Sequence, residues 1–305
     1  MILIINQLIV GLMLGILYAL IASGYSLFYG VLRVVNFSHA DVCFLGAFIS
    51  MAIISFFSKI KFLPIWLLIC LALCTSIFIT GLFGGMLFEK LFIKRFRKSP
   101  GLIMLLSTVA AGFIIREGIK MSFYAGASPK LFPLHFPELS LIIGGLTIRM
   151  GDVTLIVIAL LIYFFLALFI NNTKIGLQIR ATSQNMEAAQ IVGIDLDKIY
   201  SITFILASMI GCIAGILNGM YFSVIKYDMG QLIGIIGFAA AIMGGLGSIY
   251  GAVLGGLILG LVESLTSAFI PGGSPYKEIF AFLVVIFFLL FKPSGILGRK
   301  SIEKV

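Results

Sequence analysis

Charge is scarce in this chain: Asp, Glu, Lys and Arg make up 11% of 305 residues, against 61% hydrophobic. With a mean hydropathy of +1.20, a water-soluble fold would expose apolar surface it cannot hide. That excludes the soluble classes and leaves a polytopic membrane protein. Histidine is nearly absent: His39 and His135 are the two in the chain, and neither has a nucleophile, base or ligand set at useful spacing. An intramembrane enzyme lacks its parts, so no catalytic residue and no metal site are assigned. The four cysteines, Cys43, Cys70, Cys74 and Cys212, lie inside apolar runs. With no His or acid at ligand spacing, they argue against both a zinc site and a disulfide framework. No Lys or Arg precedes Arg33, so the first apolar stretch lacks the basic flank of a cleaved signal and reads as a retained helix. The glycine-rich run 238–248 has no Lys-Ser/Thr ending, so it is not a phosphate loop. This chain is expected to bind no cofactor, and any ATP chemistry must come from a partner.

What is present is a series of apolar runs of about 20 residues, the length a helix needs to cross a hydrocarbon core; barrel strands would be half as long and would alternate. The fold class is therefore all-α, a polytopic membrane bundle of eight or nine transmembrane helices in a single transmembrane domain over residues 1–305. Candidate spans are 6–30, 42–58, 63–88, 101–123, 152–170, 199–222, 232–249, 251–270 and 276–292. The second is the least regular, because its entry, 33–41, is polar enough for a half-inserted or broken helix. The 34 glycines suit close approach of helix backbones in lipid. Gly81, Gly84 and Gly85 echo Gly251, Gly255 and Gly256, each set followed by a Glu, which admits an internal repeat or coincidence.

The formal charge of +9 sits at span ends rather than on a polar face, which points to membrane topology and excludes nucleic acid as a partner. Lys90, Lys94, Arg95, Arg97 and Lys98 in one loop, and Lys292, Arg299, Lys300 and Lys304 in the tail, place both segments, and with them the 171–198 loop, in the cytoplasm. The N-terminal side depends on whether 42–58 spans or is re-entrant. The 124–151 segment, with Pro129, Pro133 and Pro137 around Phe132, His135 and Phe136, is too proline-broken to span and reads as an external connection, either a cap on the bundle or a contact for an outside partner.

Three polar or flexible groups stand out. Asn36, Ser38, His39 and Asp41 form the most polar cluster near a membrane edge; a zwitterionic solute crossing a desolvated path needs a donor for its carboxylate and an acceptor for its ammonium. This topology puts the cluster at the cytoplasmic mouth, where it would serve release or gating; an interfacial turn satisfied by local hydrogen bonds is the alternative. Gly244, Gly245 and Gly247 permit close crossing or a hinge in the same path. Arg116, Glu117 and Lys120 end the fourth span and are explained by snorkelling outward. Glu263 follows a nearly uncharged run, and structural pairing is its expected role.

The cytoplasmic gap 171–198 contains Glu187-Ala188-Ala189-Gln190-Ile191-Val192-Gly193. Ser183 is placed as N-cap, Gly193 at the left-handed C′ position and Asp195 as the cap of the next helix, enclosing about ten helical residues outside the membrane. Ala188 and Ala189 offer a small surface for another protein's groove, Met186 and Ile191 supply apolar contact and Glu187 an ionic handle. An ordinary amphipathic connector at the lipid surface is the plainer alternative.

The Glu-Ala-Ala-x-x-x-Gly spacing resembles the cytoplasmic motif of ABC importer permeases. With 11–30 around Tyr18-Ala19-Leu20, 33–39, 175–193, Gly244-Gly245-Leu246-Gly247-Ser248 and 291–298, the whole chain resembles the branched-chain amino-acid ABC transporter permeases, specifically the shorter of that system's two permease subunits. The Leu-Pro that ends the motif in other importer families is missing here. The resemblance implies a type II-like importer permease in a bacterial inner membrane, lipid-embedded, with a cytoplasmic C-terminus. It implies a second permease as heterodimer partner, two ATP-binding subunits carrying ATP and Mg, and an extracytoplasmic solute-binding protein. In that frame Ser183, Met186, Glu187, Ala188, Ala189 and Gly193 couple to the ATPase, and the expected cargo is leucine, isoleucine or valine. Urea, an amide or another amino acid is the nearest alternative; an ion-coupled secondary transporter, for which Glu263 would be the carrier, is the more distant one.

Overall fold

The computed structural model describes residues 2–58, 64–97, 99–122, 126–136, 139–143 and 146–298. Leu63, Lys98, Phe123, Pro137, Arg299, Lys300 and Lys304, which carried expectations above, lie outside the described residues. The chain divides into two compact units, one of residues 1–30, 137–164 and 235–305, the other of 31–136 and 165–234.

Among the described residues eight helices are long and apolar enough to cross a membrane. They are α1 (Ile2–Leu32), α2 (His39–Phe57), α3 (Ile65–Thr80, continued by π-wound turns Gly81–Leu87 and Glu89–Ile93), α4 (Gly101–Met121), α5 (Met150–Asn172), α8 (Leu196–Phe222), α10 (Ile249–Phe269) and α11 (Lys277–Phe291 with a leading 3-10 turn). Two short helices, α6 (Lys174–Gln184) and α7 (Met186–Ile191), fill the gap before α8, and α9 (Met229–Gly244) is apolar but 16 residues long. The region expected as a seventh span, 232–249, is thus a shorter helix. Gly245 and Gly247 take φ of 104° and 88°, a left-handed backbone that ends α9.

In the unit of residues 1–30, 137–164 and 235–305, α1 packs on α10 with almost no side chain between them. A methyl group at Gly15, Gly256 or Gly260 would run into the facing backbone at Leu257, Ala19 or Gly15. Without water to drive apolar association in lipid, this closeness supplies the van der Waals contact that holds helices together. Strands β2 (Ser140–Ile143) and β3 (Leu146–Arg149) form an antiparallel hairpin before α5, where the proline-broken sequence promised only a connection.

In the other unit α2 and the π-wound end of α3 both pack on α8. Gly46, Gly211 and Gly215 admit Cys212 and Cys43 at one crossing, and Gly81, Gly84 and Gly85 admit Met209, Ser208 and Ile205 at the other. Both echoing glycine stripes thus serve the same purpose, each in its own unit. Strand β1 (Lys130–Leu131) pairs antiparallel with β4 (Val224–Ile225). This brings Phe132 into an apolar cluster with Phe48, Met51, Ile119, Cys212 and Ile216.

Candidate functional site

Two groups of polar residues, both in the unit of residues 31–136 and 165–234, have geometry that points to function. The first begins where α1 ends. Arg33 adopts a left-handed φ of 58°, the chain continues without helix, and α2 starts at His39. Asn36 organises the restart: its Oδ1 accepts from the Ser38 backbone N–H at 3.2 Å and from Ser38 Oγ at 2.6 Å, and its carbonyl accepts from His39 N–H at 3.2 Å. Such side-chain-to-backbone bonds satisfy groups that an interrupted helix would otherwise leave bare. Asn36, Ser38, His39 and Asp41 are all buried, none more than 4% exposed.

Their depth differs from the expectation. A methyl group at Gly211 would meet Cys43 Sγ at 2.6 Å and His39 Cε1 at 3.0 Å, and one at Gly112 would collide with the Asp41 carboxylate. Gly211 is roughly 22 Å along α8 from Leu196, and Gly112 roughly 16 Å along α4 from Gly101, at 1.5 Å per residue. The cluster therefore lies about halfway along α4 and α8, not at a membrane mouth. Broken backbone at such depth occurs where protein or a cavity shields it.

The start of α9 reaches the same place: a methyl group at Gly230 would come within 2.9 Å of both Ala40 O and Asp41 Oδ1. Arg116 joins from α4. Instead of snorkelling outward, its Nε sits 3.1 Å from Asp41 Oδ1, another guanidinium nitrogen donates to Gln231 Oε1 at 2.5 Å, and the guanidinium lies 4.4 Å from the Phe113 ring centre. A buried carboxylate without a counter-charge would be too costly at this depth, so the side chain turns inward. Thr108 Oγ1 also accepts from the Phe37 N–H at 3.2 Å. Gln231 and Thr108 were missed in the sequence, and Arg116 was assigned to snorkelling, because nothing local links them to residues about 70 or more positions away. Glu117 and Lys120 form an exposed pair at 3.2 Å.

The second group is the α6–α7 segment. Asn185, not Ser183, caps α7: its side chain accepts from Ala188 N–H at 3.0 Å, while Ser183 Oγ, in the last turn of α6, donates to Arg180 O at 2.8 Å. Asn has the same capping chemistry as Ser, and it sits the right distance before Ala188. Gly193 has φ of 86°, and Asp195 caps α8 by accepting from Lys198 N–H at 3.2 Å. The expected ten-residue helix is two helices, with α7 only six residues long. Ala188 and Glu187 are exposed, but Ala189 is 3% exposed and packs into its own chain. The outward apolar residues are Ile191 at 85% and Val192 at 75% exposure. Met186 faces back and its Sδ accepts from Tyr200 OH at 3.1 Å.

The glycine turn Gly244–Gly247 belongs to the other unit. Residues 296 and 297 fold over it, Ile296 N–H donating to Met243 O and Leu297 N–H to Gly244 O, both at 2.9 Å. Ser248 Oγ caps α10 through Gly251 N–H at 3.1 Å. The turn is thus a clasped helix end, with no ionisable side chain in these contacts. In the same unit Glu263, 1% exposed, accepts from Tyr18 OH at 2.5 Å and pairs with Lys277. Among the described residues no three His, Cys, Asp or Glu gather as a metal set.

The family model for the branched-chain amino acid transport system permease component matches residues 7–289. This chain belongs to that family. The permease is similar to the high-affinity branched-chain amino acid transport system permease protein BraD of Pseudomonas aeruginosa, 34% identical over 302 residues, which cover 98% of this chain and 97% of that protein. It is similar to LivH of Salmonella typhimurium, a permease protein of the same description, at 32% over 305 residues covering 98% and 97%. It is also similar to the autoinducer 2 import system permease protein LsrC of Escherichia coli, at 27% over 231 residues covering 73% and 62%. The permease is an all-α, multi-pass membrane protein and a transport component rather than an enzyme.

Proposed function

We propose that this permease is the translocation subunit of an ATP-driven importer of leucine, isoleucine and valine in a bacterial inner membrane, with its C-terminus in the cytoplasm. It works as one membrane domain paired with a second permease, two ATP-binding subunits that hold ATP and Mg, and an extracytoplasmic solute-binding protein. The observation that carries this reading is α7: a short, doubly capped helix between long apolar helices, presenting Glu187 and Ala188 beside the apolar tip Ile191–Val192. An apolar tip beside a charge, on a helix too short to span, fits a groove on a soluble partner.

In this reading α7, with Glu187, Ala188 and Gly193 expected at the contact and Ser183, Met186 and Ala189 supporting it from within, passes the closure of the ATP-binding subunits to the bundle. Asn36, Ser38, His39 and Asp41, now joined by Arg116 and Gln231, line the path, and a mid-depth position suits handling of a zwitterion in transit. Gly244, Gly245 and Gly247 form the clasped turn that a gating motion would open. The relative that imports autoinducer 2 supports a second reading, in which the same machinery carries another small polar solute.

Gentle solubilisation from the native membrane tests the assignment. A second permease and two nucleotide-binding subunits should co-purify in near-stoichiometric amounts, and Glu187→Ala or Gly193→Pro should weaken ATPase coupling while leaving insertion intact. A chain that purifies alone and carries solute on an ion gradient would refute it.

A further inference from the structure

Lys90, Lys94, Arg95 and Arg97, in and just after the π-wound end of α3, would satisfy the charge rule for topology anywhere in that stretch. Lys90 and Arg95 do so, lying exposed. Arg97 does something the rule does not ask for. Its guanidinium pairs with Glu89 on one side and with Asp197, in the first turn of α8, on the other, and it lies 4.1 Å from the centre of the Tyr200 ring. Glu89 is 1% exposed and its second oxygen accepts from Ser201 Oγ at 3.1 Å. Lys94 adds a pair to Asp197 at 2.9 Å. Tyr200 donates in turn to Met186 Sδ on α7. One unbroken series of side-chain contacts therefore runs from α7 through Tyr200 and Arg97 to the π-wound end of α3.

We propose that Arg97 is the positioning residue that ties α7 to the corner between α3 and α4, so that displacement of α7 moves that corner instead of being lost in a slack loop. The proposal rests on the reading of α7 as the docking helix. A planar, five-donor guanidinium can bridge two carboxylates with forked hydrogen bonds while lying flat on an aromatic face; an ammonium meets the charge but not that geometry. The buried Glu89 makes the arrangement two-sided, because its carboxylate needs Arg97 as much as Arg97 needs an anchor. The second tie of this segment, Arg33 Nη2 donating to Ser183 O at 2.5 Å, holds the C-terminal end of α6 to the link before α2. Arg97 serves the opposite flank, on the side of α8.

The test uses the full transporter with its ATP-binding subunits and binding protein in liposomes. It reads solute taken up per ATP hydrolysed, with co-purification of the ATP-binding subunits as the check on assembly. A merely structural residue would lower both activities together and leave their ratio unchanged. Arg97→Gln is expected to lower the ratio about tenfold with the ATP-binding subunits still attached. Arg97→Lys, which keeps the charge beside Glu89 and protects against misfolding, is expected to lower it by about threefold. A ratio within twofold of the parent in Arg97→Lys and in Arg97→Gln, or a fall in activity that follows loss of the subunits, overturns the proposal. A cysteine cross-link from Glu187→Cys to an ATP-binding subunit tests the docking reading separately: if Glu187→Cys with Arg97 intact forms none, that reading fails whatever Arg97 does.

Discussion

Two buried carboxylates, one in each unit, meet their counter-charges in different ways. Glu263 lies on an uninterrupted helix and is satisfied by Lys277, from the start of the next helix, and by Tyr18. Lys277 is 36% exposed, so the pair touches water at the helix ends, where a charge is cheap to keep. Asp41 lies in the first turn of a helix that restarts partway through the bundle, and its partner Arg116 is 12% exposed and is also shared with Gln231 of a third helix. The comparison teaches that burial alone does not mark a transport residue. What separates the two is depth and backbone: three helices meet in each case, but Glu263 lies on an uninterrupted helix near its end, whereas Asp41 lies at broken backbone about halfway along its neighbours. Glu263 is therefore read as a fastener, whereas Asp41 fits the path proposed above.

The contrast breaks most visibly at Asp41. Asp41→Ala strands the Arg116 cation, a cost of about 3–5 kcal/mol, and is expected to reduce uptake at least about a hundredfold together with membrane abundance. Adding Arg116→Gln to Asp41→Asn should restore abundance on immunoblots without restoring uptake in liposomes; recovery of both would make the pair a fastener like Glu263. Glu263→Gln, which keeps a partner for Tyr18 and loses the ion pair, should cost about 1.5–3 kcal/mol, read as earlier thermal unfolding in detergent. Uptake per inserted molecule should stay within about twofold; a loss as deep as that of Asp41→Ala would erase the distinction. A smaller effect is expected from Asn185→Ala, where a lost cap of about 1 kcal/mol loosens α7 and lowers ATPase stimulation several-fold at unchanged abundance. Lys120→Gln, at an exposed pair, should change neither uptake nor stability by more than about 0.5 kcal/mol.

Most of the helical frame was legible because lipid-crossing helices announce themselves by length and apolarity, and those signals are local. The restart of α2 was legible too, as polarity at 33–41, and the turn at Gly193 and the cap at Asp195 follow from residue chemistry within four positions. Depth was not legible. The topology rule orders segments by side, so it put Asn36–Asp41 at a mouth; that the chain climbs back without helix before α2 starts depends on Gly112, Gly211 and Gly230 leaving room for it. Arg116 was misread for a related reason: snorkelling is the default for an arginine near a helix end, and only a carboxylate 75 positions away overrides it. Ser183 and Asn185 are both capping residues, and the choice between them turned on where α6 stops. Ala189 was placed outward because a six-residue helix has too few turns to declare its buried face.

The clasp over the α9–α10 turn has a consequence for biosynthesis. Among the described residues, the carbonyls of Met243 and Gly244 at the end of α9 accept from Ile296 and Leu297, which leave the ribosome after two further helices have been made. Until then the turn carries bare acceptors. A chain truncated between α11 and residue 296 would therefore have all its long helices and this one joint still open, so protease access at Gly245–Gly247 in chains truncated at increasing length should fall abruptly once residues 296 and 297 are included.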